Sequence, residues 1–186
     1  MRKLIAAINM TLDGYCDHDV ITPDETIHDH YTDLLDQAGV ALYGRTTYHL
    51  MEYWQTVLKE PTGNKAMDDF AIAIDRVPKI VFSRTLKELT WDTATLATRS
   101  LEEEVAALKQ EPGKAIFACS PGLIVSLTQL DLIDEYQICV HPVVVGSGLP
   151  LFRNINHKLN LKLTNTKTFD SGAIILYYEP SNKQMV

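Results

Sequence analysis

Apolar residues follow one another along this chain in two rhythms, short unbroken runs and longer stretches spaced by three and four. That alternation predicts strands followed by helices. KLIAAINM at 3–10 is too short for a helix and ends at the Asp-Gly step of TLDG, so it reads as a buried first strand. Between Pro23 and Gly39 the positions Ile27, Tyr31, Leu34, Leu35 and Ala38 recur at helical spacing, with Thr22 or Asp24 as N-cap and Gly39 as the stop. VALYG at 40–44 is a second buried strand, and RTTYHLMEYW starts a second helix with Thr46 or Thr47 near its beginning. After the PTGNK loop at 61–65, the pattern predicts a helix over 67–77 and a strand over 78–84. A helix from Leu101 to Leu108, closed by Pro112-Gly113, precedes a buried strand at 114–119. A helix after Pro121 leads into the strand YQICVHPVVVG, which Pro142, lacking an N–H, should bend, bulge or hold at an edge. Strands at 161–169 and 173–179 flank Asp170-Ser171-Gly172, a hairpin signal.

Strands alternating with helices and closed by a hairpin argue for an α/β fold. Its sheet should be mostly parallel, with helices on both faces and antiparallel strands at one edge. The length of 186 residues suits one domain, placed at 1–180, with SNKQMV at 181–186 as a loose tail. Seventeen basic against 24 acidic residues leave a net charge of −7, which disfavours a broad basic face for nucleic acid or anionic lipid. The expected partner is therefore a small molecule, and an anionic one must be held by a few local cations. Cys16, Cys119 and Cys139 lie far apart with no C-x-x-C, so neither a disulfide framework nor a thiolate zinc site is indicated. No stretch approaches the ~20 apolar residues that span a bilayer, and the start shows no signal-peptide cleavage pattern. A cytoplasmic location is the expectation.

Ligands of such sheets bind at the carboxyl ends of the strands, which makes the residues just after each strand the candidates. In GRTT, Gly44 would allow close backbone approach, while Arg45, Thr46 and Thr47 at a helix start would suit a phosphate. The alternative is a simple helix cap with an exposed arginine. Ser83 and Arg84 repeat the pairing of hydroxyl and guanidinium at another strand end. CSPG at 119–122 opens a helix, so the N–H groups of Ser120, Gly122 and Leu123 could face a pyrophosphate; Pro at a helix start with Ser as N-cap accounts for it equally. GSGLP at 146–150 lacks the third glycine of a dinucleotide fingerprint and reads as a bulge or turn. For proton transfer the candidates are Asp13 in its turn and Asp24, Glu25, Asp29 and Asp33 on or beside the first helix, most of which must be solvated surface. His28 and His30, two apart on a helix, point to different faces and make a poor metal pair, and no metal site is expected. Cys119 has no evident base beside it, and no nucleophile triad is present.

The ordered set KLIAAINMTLDGY, LYGRTTYHLM, KIVFSRTL, LKQEPGKAIFACSPGLIVSLTQLDLIDEY and HPVVVGSGLPLF resembles the dihydrofolate reductase-like superfamily. Within it, the chain is most similar to the reductase domain of bacterial riboflavin biosynthesis and its stand-alone relatives. That resemblance implies a three-layer α/β/α fold, a homodimer, and an NADPH-dependent reductase acting on a C=N or related carbon of a pterin, pyrimidine or similar ring. It implies Arg45, Thr46, Ser83 and Arg84 around the nucleotide phosphates, the loop at Cys119-Ser120 near the pyrophosphate, and TLDG beside nicotinamide and substrate. Glu25 or Asp29 falls in the region of the proton-donating carboxylate. Two departures stand out: Cys119-Ser120 replaces the usual Gly-Gly pair, and Ala118 stands where riboflavin enzymes carry a substrate-contacting glutamate. No fused zinc deaminase signature accompanies them. The competing expectation is a non-catalytic nucleotide- or pterin-binding protein with a degenerate cofactor loop. A structural oligomer with a vestigial cleft is the third.

Overall fold

The computed structural model describes residues 1–181, among which eight strands form one sheet and six helices cover it. The tail expected to be loose lies outside the described residues, apart from Ser181. Ahead of the terminal hairpin, five strands fall where the pattern predicts them: β1 (Leu4–Thr11), β2 (Ala38–Gly44), β3 (Lys79–Phe82), β5 (Ala115–Ala118) and β6 (Glu135–His141). β4 (Ala94–Leu96) joins them in one parallel array, while β7 (Leu161–Thr168) and β8 (Ile174–Pro180) form the antiparallel hairpin. The strand order is β4-β3-β2-β5-β1-β6-β8-β7.

Helices α1 (Glu25–Asp36), α2 (Arg45–Met51), α3 (Tyr53–Lys59) and α4 (Lys65–Arg76) cover one face, packing Leu34, Trp54 and Ile74 onto Ile5, Tyr43 and Phe117. Helices α5 (Leu101–Gln110) and α6 (Pro121–Gln129) cover the other, with Val105 and Ile124 on Leu4, Leu42 and Ile116. Strands sandwiched in this way bury both sets of alternating side chains, which is why β1 and β2 read as unbroken apolar runs. Among the described residues no helix is long and apolar enough to cross a membrane.

Several boundaries differ from expectation. Asp24 is the cap of α1, its carboxylate accepting from Ile27 N at 2.9 Å, but the helix ends at Asp36 and Gly39 lies inside β2. A Cβ at Gly39 would stand 2.5 Å from Arg2 Nη2 and 3.0 Å from the Lys114 carbonyl oxygen, so close approach at a register shift demands glycine there. RTTYHLMEYW divides at Glu52 into α2 and α3. β6 stops at His141, immediately before Pro142, rather than running through it. β4 carries three residues with no distinctive pattern and was not foreseen.

β4 is held beside β3 partly by a buried lysine. Lys79 is 1% exposed; its ammonium donates to the carbonyls of Val77 (2.7 Å) and Asp75 (3.2 Å) and to Thr93 Oγ1 (2.9 Å). It also lies 4.3 Å from the centre of the Trp91 ring. The lysine thereby closes the carboxyl end of α4, whose last carbonyls have no helical partner. Lys79→Met should cost about 1–3 kcal/mol, the penalty for unmet buried acceptors, seen as a lower urea midpoint at unchanged slope. Burial lowers the Lys79 amine from 10.5 to about 8, so between those values the unfolded chain binds the extra proton. Wild-type stability measured against Lys79→Met should therefore rise as pH goes from 8 to 10.5.

Candidate active site

Parallel pairing sets the carboxyl ends of β3, β2, β5 and β1 side by side, with Gly44 opposite Phe82 and Ala118 opposite both Leu42 and Ala6. Above these ends opens a cleft of about 840 Å³, a volume typical of small-molecule and cofactor sites.

One half of the cleft is lined by Gly44, Arg45, Thr46 and Thr47 from the β2–α2 junction and by Cys119, Ser120, Gly122 and Leu123 from the β5–α6 junction. The two junctions are tied together: Ser120 Oγ accepts from Gly44 N at 2.9 Å, and Ser120 is 3% exposed. This hydroxyl does not cap α6, whose first turn has no side-chain partner. A Cβ on Gly122 would meet nothing within 4 Å, so the backbone there borders open space. Arg45 is exposed, and its Nη1 donates to Thr85 Oγ1 at 3.0 Å, joining the β2 end to the β3 end. Ser83 and Arg84 do not line the cleft. Ser83 Oγ instead accepts from the N–H groups of Thr85 (3.2 Å) and Leu86 (3.1 Å), and shapes the turn that supports Arg45.

The other half is aromatic, with Trp54, Phe70 and Tyr31 in the wall. His28 stacks edge-on against Trp54 and Phe70, each 5.8 Å away between ring centres. His30 faces Phe169 and Lys167, and burial drives its pKa down to about 4. The two histidines thus point apart, and no group of three His, Cys, Asp or Glu among the described residues could hold a metal ion. Burial pushes the Cys119 thiol up to about 12 and Cys16 to about 11, which leaves neither a thiolate at neutral pH.

None of Asp13, Glu25 and Asp29 lines the cleft. Glu25 accepts from Asn64 Nδ2 at 2.7 Å, linking the starts of α1 and α4, and Asp29 is exposed on α1. Asp13 tethers two loops: it accepts from the Thr11 hydroxyl at 2.6 Å and from the N–H groups of Gly146 (2.7 Å) and Val145 (3.1 Å). The Thr11 hydroxyl, helped by those two N–H groups, holds the Asp13 carboxyl below the ordinary range.

The carboxylate that does line the cleft is Asp17, whose Oδ2 accepts from Leu149 N at 2.6 Å. Gly148 makes room for it, since a Cβ there would collide with that oxygen. Arg153 stands in the same lining, so the cleft carries two arginines and, among the described residues, one carboxylate in a chain of net charge −7. Asp17, Arg153 and the aromatic wall were not among the expected site residues. Only Asn9, a polar residue at the end of the apolar β1 run, carried a readable signal for this half.

Fold and cleft together define a three-layer α/β protein of dihydrofolate reductase-like architecture. A family model of the RibD C-terminal domain matches residues 2–175, and the chain belongs to that family. It is 34% identical over 181 residues, 95% of this chain and 94% of the other, to the uncharacterized protein YyaP of Bacillus subtilis. Among solved structures it is similar to a putative riboflavin biosynthesis protein from Shewanella (TM-score 0.73, 20% identity, 97% of this chain and 99% of that one). The Thermotoga maritima diaminohydroxyphosphoribosylaminopyrimidine deaminase/5-amino-6-(5-phosphoribosylamino)uracil reductase follows at TM-score 0.63 and 14% identity, covering 96% of this chain and 56% of that one. Dihydrofolate reductase from Enterococcus faecalis, complexed with NADP(H), superposes with TM-score 0.61 at 13% identity over 97% of both chains.

Asp13→Ala should loosen the loop at Val145 and Gly146 without disturbing the sheet. Amide exchange at Val145 and Gly146 is expected to quicken while exchange in β1 and β6 stays unchanged. In the wild type the tether is complete above the ordinary carboxylate range, and as pH falls through the lowered pKa the same amides should lose protection.

Proposed function

We propose that this protein is an NADPH-dependent reductase acting on a C=N or related carbon of a pterin, pyrimidine or similar ring. The observation that carries the reading is the joined rim of β3, β2 and β5, where Arg45 and the open first turn of α6 face one cleft beside an aromatic wall. The residues present fit a dinucleotide. Ser120, which replaces a glycine of the family pattern, turns its hydroxyl to Gly44 N, and Gly122 leaves the backbone bare. Arg45, Thr46, Thr47 and the N–H groups of Gly122 and Leu123 would hold the phosphates. The bound cofactor would supply the hydride. Family membership and the NADP(H) complex of the structurally similar reductase support the choice of cofactor.

The remaining work falls to the chain. Trp54, Phe70 and Tyr31 shield one side of the cleft from water and offer flat surfaces to a ring. Asp17, fixed by Leu149 N, takes the proton-donating role expected of Glu25 or Asp29, because it is the carboxylate that borders the cleft. The alternative of ligand binding without turnover rests on Gly44, whose N–H is already taken by Ser120 and is lost to a phosphate.

Titration with NADPH, followed by fluorescence of Trp54 in the cleft wall, should give a saturable change. Arg45→Ala should weaken it about tenfold or more, the worth of one charge-assisted hydrogen bond, whereas Arg84→Ala, outside the lining, should change it far less. Absence of saturation in the wild type would remove the reductase reading. Saturation without NADPH oxidation on any pterin or pyrimidine would leave the binding protein.

A further inference from the structure

Asn9 lies near the end of β1, paired with Cys139 of β6, and borders the cleft floor. Two donors from separate elements converge on its side-chain oxygen. Tyr31 Oη of α1 lies 3.1 Å from Oδ1, and His141 Nε2, from the last residue of β6, lies 2.9 Å from it. His141 is 6% exposed, and burial favours its neutral ring. Nε2 also lies 3.5 Å from Cys139 Sγ, and in the tautomer with the ring proton on Nε2 it donates to the Asn9 oxygen. In that tautomer both acceptor positions of Oδ1 are filled, and turning the amide over requires moving the His141 proton to Nδ1 and reversing the Tyr31 hydroxyl. The Nδ2 group is left directed away from them, in a residue that lines the cleft.

We propose that Asn9 is a specificity-determining residue. Its Nδ2 donates to a carbonyl oxygen or bare ring nitrogen of the substrate, so the cleft selects oxo-type ring edges over amino-substituted ones. The inference rests on the reductase reading for the claim that the ring is a substrate. Tyr31 and His141 act through Asn9 and are positioning residues. An amino edge brings N–H against N–H at this point and leaves that donor unmet once the ring covers it, a discrimination of about tenfold or more. Asp at position 9 reverses the preference, since both anchoring donors still find an oxygen while the cleft receives a second oxygen in place of the N–H.

The test is a calorimetric titration of wild type and Asn9→Asp with lumazine, a 2,4-dioxopteridine, and with 2,4-diaminopteridine, alongside a separate NADPH titration. Wild type should bind lumazine more tightly. Asn9→Asp should lose about tenfold or more on lumazine and gain on the diamino ring, with NADPH affinity unchanged. The same order of preference in both proteins, a wild type that prefers the diamino ring, or a wild type that binds neither would overturn the proposal. Tyr31→Phe provides a second variant should Asn9→Asp fail to fold. With one anchor gone the amide can turn, and the ratio of the two pteridine affinities should move toward one, whereas an unchanged ratio counts against the proposal. NADPH binding with residue-9-insensitive pteridine binding sinks this inference and spares the reductase reading; the reverse pattern spares this inference and sinks that reading.

Discussion

A four-residue strand holds the two halves of this sheet together. β5 pairs with β1 along one edge and with β2 along the other, although both partners precede it by many residues in the chain. The chain first builds outward from β1 through β2, β3 and β4, then returns to insert β5 into the gap it left. That reversal sends α1 to α4 over one face and α5 and α6 over the other, and the crevice between diverging connections is where ligands of open α/β sheets bind. Every residue of the proposed cofactor rim takes its place from this one insertion, including the Ser120 hydroxyl that reaches Gly44.

The electrostatics follow the same economy. A chain of net charge −7 cannot attract an anion by its overall field, so the charge must be local. Arg45 is steadied by Thr85, a neutral hydroxyl, and among the described residues no carboxylate pairs with it. Its positive charge therefore stays available to a ligand in a way that a salt-bridged guanidinium would not. Asp17 is likewise fixed by a backbone N–H, which positions the carboxylate without neutralising it.

The architecture was legible in the sequence because strands buried on both faces and amphipathic helices leave unmistakable periodicities, as at 3–10 and between Pro23 and Gly39. Short elements were not: β4 has three residues, too few for an alternation to stand out from chance. Gly39 misled because a glycine after an amphipathic stretch ordinarily ends a helix, whereas here Arg2 and Lys114, distant in sequence, require it. The strand-end rule located GRTT and CSPG on the cleft. It did not separate Ser83, which builds a turn, from Arg45, which faces the ligand space. Carboxylates were the hardest to place, for a helix tells which way Asp29 turns only once its neighbours are known. Asp17 lies in a segment without regular structure, and its partner Leu149 is 132 residues away, a distance no local pattern spans.

The mouth of the cleft is stitched from two such remote segments. Leu12 N bonds to Val143 O, Cys16 N to Leu149 O and Leu151 N to Gly14 O, with Tyr15 bridged to Pro150. During synthesis from the amino terminus, residues 12–17 emerge early and must wait for more than a hundred others before their partners exist. The entrance to the cleft is thus completed late in biogenesis, after most of the parallel sheet can already have formed.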